Sequence, residues 1–157
     1  MSNLKTNAMR ILDKHKINYT THCYADTTAI SGMEIATVLH ENPARVFKTL
    51  VTTGKTGAHY VFMIPVAEEL NLKKAAIAVG EKSVEMLKQK DLLPLTGYVH
   101  GGCSPIGMKK LFKTTLHKTA ADFPTIMFSA GAIGYQVEMP LADLSTVIPI
   151  ATADIIA

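Results

Sequence analysis

The sequence predicts an α/β chain of the α+β kind, in which hairpins and short helices alternate irregularly instead of repeating as βαβ units. Three observations carry this. Apolar residues recur at helical spacing in separate short stretches. Two pairs of β-branched and aromatic runs are joined by glycine-containing turns. The 157 residues are 48% hydrophobic, enough for one sizeable core, and contain no linker-like stretch. The expectation is one domain spanning residues 1–157.

Leu4, Ala8, Ile11, Leu12 and His15 recur on one helical face, which predicts a helix from about 3 to 15 with His15 packed inward. A strand is expected over Tyr19 to Tyr24. Ser31 and Glu34 have the spacing of a capping box ahead of Ile35, Val38 and Leu39, so a second helix begins there and ends before Asn42-Pro43. Val46 to Thr53 and His59 to Ile64 read as a hairpin turning at Gly54-Lys55-Thr56-Gly57.

Leu72, Ala75, Ala76 and Val79 form another helical stripe closed by Gly80, and a short helix is expected from about Ser83 to Lys90. Thr125 to Ser129 and Tyr135 to Met139 flank a turn of small residues and form a second hairpin. Pro140 then starts a short helix through Leu144, and Val147 to Ile150 with the terminal residues closes the sheet.

The N-terminal residues lack a basic region followed by an apolar one, and no apolar run approaches the roughly 18 residues of a membrane span. A soluble, cytoplasmic protein with no membrane partner is expected. Cys23 and Cys103 are too few for a disulfide framework and read as reduced, space-filling thiols. The six histidines form no HxxxH or HExxH pattern, so neither a metal nor another cofactor is expected.

Charge is distributed unevenly. From Leu92 to Ala121 there is no Asp or Glu, while Lys109, Lys110, Lys113 and Lys118 fall there with His100 and His117. Such a segment is either a phosphate-facing surface or a solvated face. Two other places can carry chemistry. Between Gly97 and Gly107 four glycines, Ser104 and Pro105 crowd into eleven positions, a density that either exposes backbone N–H groups to an anionic oxygen or makes an ordinary tight turn. Lys48 lies in a strand whose alternation groups it with Val46 and Leu50. On a core face it needs a partner or a bound anion, and otherwise it is an edge-strand charge. No G-x-S-x-G nucleophile elbow is present around Ser104.

Taken together, RVFKTL at 45–50, NLKKAA at 71–76, TGYVHGGCSPIGMKK at 96–110 and TIMFSAG at 125–131 resemble the YbaK/EbsC family in order and spacing. Tyr24 also sits where that family carries a tyrosine. The resemblance covers almost the whole chain. It implies a mixed, mostly antiparallel, barrel-like sheet flanked by helices, related to the editing domain inserted in bacterial prolyl-tRNA synthetases.

The activity it implies is deacylation of mischarged Cys-tRNA(Pro), and of Cys-tRNA(Cys), in which the substrate's own thiol attacks its ester and no enzyme nucleophile is needed. Lys48 would hold the terminal adenosine or its phosphate. Gly101 and Gly102 would offer N–H groups to the carbonyl, with Ser104 and Pro105 shaping that loop. Tyr24, Ser31, Arg45, Thr49 and Ser129 would line the pocket, Ser31 standing where some relatives have a bulky aromatic. Cys103 falls at the variable position of GGxSPxG and is not assigned as nucleophile. Lys109, Lys110 and Lys113 would face the tRNA.

The partner is then the acceptor end of aminoacyl-tRNA, with no DNA, in a ternary complex with prolyl-tRNA synthetase. Two alternatives stand beside this: an Ala-tRNA(Pro) deacylase using water, and a non-catalytic RNA-binding partner of a synthetase.

Overall fold

A computed structural model describes residues 4–157, so Met1 to Asn3, where the first expected helix begins, lie outside the described residues. The element order is α1 (Asn7–Lys14), β1 (Thr20–Cys23), α2 (Gly32–Val38), β2 (Phe47–Gly54), β3 (His59–Pro65), α3 (Leu72–Val79), β4 (Val84–Met86), α4 (Gln89–Thr96), β5 (Lys113–His117), β6 (Ile126–Ser129), β7 (Tyr135–Met139), α5 (Leu141–Val147) and β8 (Ile150–Ala153).

The strands form two sheets, one ordered β1-β7-β6 and the other β4-β2-β3-β5-β8. Pairing is mixed and mostly antiparallel, the exceptions within the ladders being β3 with β5 and β5 with β8. The sheets meet where Val46 bridges Met127 in parallel fashion, giving an open, two-sheet version of the expected barrel-like arrangement. The largest core cluster spans this joint, taking Phe47 and Leu116 from one sheet and Ile126, Phe128 and Val137 from the other, with Met9 and Leu12 of α1.

Local chemistry explains most boundaries. The Thr6 side chain caps α1 by accepting from Met9 N, so the helix starts later than expected and Leu4 is left exposed. His15, expected inside, is an exposed C-cap residue, because the shortened helix ends before it can pack. The Ser31–Glu34 capping box forms on both sides. Gly80 takes the left-handed conformation that ends α3.

Two expectations are corrected and one further strand is found. The helix over Ser83 to Lys90 is instead β4 followed by the start of α4. Val84 to Met86 pair with Thr52 to Gly54, and this pairing overrides the local helix-forming residues. Strand β5, unforeseen within the basic segment, lies between β3 and β8. At the C-terminal end α5 runs on to Val147, and the closing strand is Ile150–Ala153.

Candidate functional site

A cleft of about 350 Å³ opens where the first half of β2, the start of α2, the glycine-rich loop after α4, and strands β6 and β7 converge. Five residues singled out in the sequence line it together: Ser31, Lys48, Thr49, Gly101 and Ser129. They come from four separate parts of the chain.

Each is held there by identifiable contacts. Ser31 is the N-cap of α2, its hydroxyl accepting from Glu34 N at 3.2 Å. The first residue of that helix, Gly32, packs so tightly on Val66 that an added Cβ would stand 2.3 Å from Val66 Cγ1. Lys48 is half-buried on β2, paired with Ile64 of β3. It has no ion-pair partner among the described residues. Ser129 Oγ accepts from Gly131 N and fixes the β6–β7 turn.

The glycine loop is built from its own hydrogen bonds. Gly101 adopts φ +88°, a conformation that side chains resist, and it faces the cleft. Its N–H has no hydrogen-bond partner among the described residues. Gly102 is different: its N–H donates to Val99 O at 3.0 Å, so it is consumed by the loop and is not offered to a carbonyl oxygen. Ser104 is buried, and its Oγ accepts from Ile106 N at 3.2 Å. Together with buried Pro105 it shapes the loop without lining the cleft. Tyr98 anchors the same loop by donating its hydroxyl to Ile106 O.

Arg45 does not reach the cleft. Its guanidinium is held by Glu41 at 2.8 Å, by Thr125 Oγ1 at 2.6 Å and by Glu138 at 3.2 Å, and Glu138 also accepts from Thr125 and meets His22 Nε2 at 2.7 Å. This network ties the segment after α2 and the residue just before β6 to β7 and β1. Burial works to raise the Glu138 pKa. Hydrogen bonds from Thr125 and His22, with the Arg45 charge, outweigh it and hold the carboxyl below its ordinary value.

Tyr24 is buried beside the cleft and is not part of its lining, and burial pushes its phenol above the usual value. Among the described residues, its hydroxyl, Thr49 Oγ1 and Gln136 Oε1 are buried without a well-formed hydrogen bond. Lys109, Lys110 and Lys113 are all exposed, and Lys109 also donates to Pro94 O at 3.2 Å near the end of α4. None of the three lines the cleft.

Residues not singled out as site residues also line it, notably Met33, Leu92, His100 and Gln136. Gln136, 4% exposed on β7, lines the cleft at a place that its position in the sequence does not mark. Cys103 lines the cleft as well, and burial drives its thiol up to about 12. Among the described residues no group of three or more His, Cys, Asp and Glu could hold a metal. No helix among the described residues is long and apolar enough to cross a membrane.

The cleft thus brings Lys48 together with a glycine loop whose Gly101 N–H has no partner among the described residues, and groups of this kind can bind and polarise a carbonyl or phosphate oxygen. Residues 25–147 match the family model of the aminoacyl-tRNA editing domain, and the chain belongs to that family. It is 48% identical over 143 residues to an Enterococcus faecalis protein that carries the provisional name Cys-tRNA(Pro)/Cys-tRNA(Cys) deacylase EbsC, covering 90% of this chain and 87% of that one. In fold it is similar to a solved structure provisionally described as a trans-editing enzyme for prolyl tRNA synthetase, at TM-score 0.82 and 20% identity over 98% of this chain and 99% of that one. It is also similar to a solved hypothetical protein, at TM-score 0.86 and 18% identity over 94% and 97% of the two chains.

Proposed function

We propose that this chain, acting as one editing unit over its whole length, removes cysteine from mischarged Cys-tRNA(Pro), and from Cys-tRNA(Cys), in the cytoplasm. The observation that carries the reading is that Lys48 and Gly101, whose N–H has no partner among the described residues, line one cleft in which the Cys103 thiol is held protonated by burial. Lys48 supplies positive charge toward the terminal nucleotide, and Gly101 donates to the ester carbonyl as it gains negative charge.

The reacting sulfur is the substrate's. It attacks the carbonyl carbon of its own ester, and the bond from that carbon to the ribose oxygen breaks. The thiol proton passes to the departing oxygen, and a cyclic thiolactone leaves. The protein's part is to hold thiol and carbonyl close, an effect of large catalytic value. Cys103 cannot replace the substrate thiol: at a pKa of about 12 it is almost wholly protonated at neutral pH.

A cleft of about 350 Å³ admits the aminoacylated end of a tRNA and none of its body. Choice among tRNAs therefore comes from the exposed Lys110 and Lys113 and from prolyl-tRNA synthetase in a ternary complex. The test is deacylation by the purified protein of tRNA(Pro) charged with cysteine, alanine or serine. Cysteine should leave fastest and appear as the thiolactone. Faster release of alanine would overturn the assignment in favour of a water-dependent deacylase, and no turnover would leave a binding protein.

A further inference from the structure

The edge of β2 that faces the cleft has a gap in its pairing. Val66 N donates to Val46 O and Gly54 N donates to Ala58 O, which places the even-numbered residues of β2 in hydrogen-bonded pairs with β3. The N–H and C=O of the odd-numbered residues therefore point to the opposite edge. There β4 and its flanks take up the groups from Val51 onward, Leu87 N donating to Val51 O and Lys55 N to Ser83 O. At the other end β6 meets the strand at the Val46–Met127 bridge. Between the two lies Thr49, which enters no ladder on that edge and whose Oγ1 is buried and unpaired among the described residues. Thr49 lines the cleft with Lys48 and Gly101.

We propose that the aminoacyl group of the substrate occupies this gap as a one-residue antiparallel β-bridge to Thr49. An α-aminoacyl ester carries the two groups a strand residue would supply, a donor on its α-nitrogen and an acceptor on its carbonyl, separated by one Cα. Its α-ammonium donates to Thr49 C=O, and Thr49 N–H donates to the ester carbonyl. Thr49 N–H thus joins Gly101 N–H on the developing oxyanion, the two donors arriving from a strand edge and a glycine loop. The same pairing turns the substrate carbon skeleton into a fixed direction relative to β2. This rests on the deacylase reading above.

Two experiments read the two halves of the bridge. Replacing the Thr49 amide by an ester, through incorporation of the α-hydroxy analogue of threonine, removes only the N–H. Turnover of cysteinyl-tRNA should fall roughly 10²–10³-fold, with thermal unfolding unchanged because no ladder bond is broken. Turnover within twofold of the parent, or a clearly lowered Tm, would overturn the donor contact.

On the unaltered protein, 3-mercaptopropionyl-tRNA lacks the α-amino group and should show a rate enhancement over its own uncatalysed cleavage lower by about tenfold or more. Equal enhancement for the two substrates would overturn the acceptor contact. Binding of 3′-cysteinylamino-3′-deoxyadenosine separates this from the deacylase reading. Equal affinity for the parent and the ester protein sinks the bridge, whereas absent turnover with ester-sensitive binding sinks only the reaction.

Discussion

Lys48 and Glu138 show how differently two charged groups of one chain are managed. Lys48 leaves β2 half-buried at the cleft and has no ion-pair partner among the described residues, so its removal breaks no ion pair of the fold. Lys48→Ala should lose most deacylation, a cost on the order of a few kcal/mol for removing a charge that holds bound substrate. Denaturant unfolding should stay close to that of the parent, and near-normal kcat/KM would remove Lys48 from the reaction.

Glu138 is held by Thr125, His22 and Arg45, and its carboxyl titrates below the ordinary 4.5. The stability it contributes is complete above that pH and is lost as the pH falls through the lower, folded value. Glu138→Gln should therefore destabilise the protein at neutral pH by about 1–3 kcal/mol. Its unfolding free energy should also depend less on pH below 4.5 than that of the parent. Parallel pH profiles for the two proteins would show that the carboxylate is not the stabilising form.

At the scale of elements, α2 is positioned by the closeness of Gly32 to Val66, with only 2.3 Å for an added Cβ. Gly32→Ala must push the helix start away from β3's end, at a cost of about 1–3 kcal/mol for overpacking. It should widen the cleft at Ser31 and Met33 and raise KM for charged tRNA more than it lowers kcat. Unchanged unfolding and kinetics would mean that α2 has room to shift without consequence.

Elements governed by local chemistry are readable from residues alone. The Ser31–Glu34 capping box, the Gly80 helix stop and the turn at Gly54 to Gly57 all act within a few positions. Those governed by distant partners are not. Val84 to Met86 become a strand only because β2 offers an edge there, and the charge of the segment around Lys113 to His117 masks the pairing with β3 and β8 that defines it. The site divides along the same line. FKTL and the glycine loop mark Lys48, Thr49 and Gly101. Arg45's engagement with Glu41 and Glu138, the use of Gly102 N–H by Val99, and the inward turn of Gln136 all depend on how the folded chain arranges itself around them.

Across the whole molecule, the basic segment from Leu92 to Ala121 resolves into parts with different prospects. Lys109, Lys110 and Lys113 are all exposed, but Lys109 is tied to Pro94 O while the side chains of the other two make no hydrogen bond or ion pair among the described residues. Replacing Lys110 and Lys113 by Ala should weaken tRNA binding and reduce the slope of log affinity against log salt by about 0.7–0.9 for each phosphate no longer neutralised. An unaltered slope would return both residues to a solvated face.

The joint between the two sheets has a consequence for how the protein breathes. Along their length the sheets share one strand bridge among the described residues, Val46 with Met127, and the cleft sits beside it, drawing Lys48 and Thr49 from one sheet and Ser129 and Gln136 from the other. Any ligand that fills the cleft touches both sides and acts as a rivet across the seam. Opening the seam then requires its release. A ligand held only by the closed form at 100 times its dissociation constant opposes opening by about 2.7 kcal/mol. With 3′-cysteinylamino-3′-deoxyadenosine bound, amide hydrogen exchange should slow together in β2 and in β6 and β7, well beyond the residues it contacts. Slowing confined to the glycine loop would mean that the two sheets open independently of what lies between them.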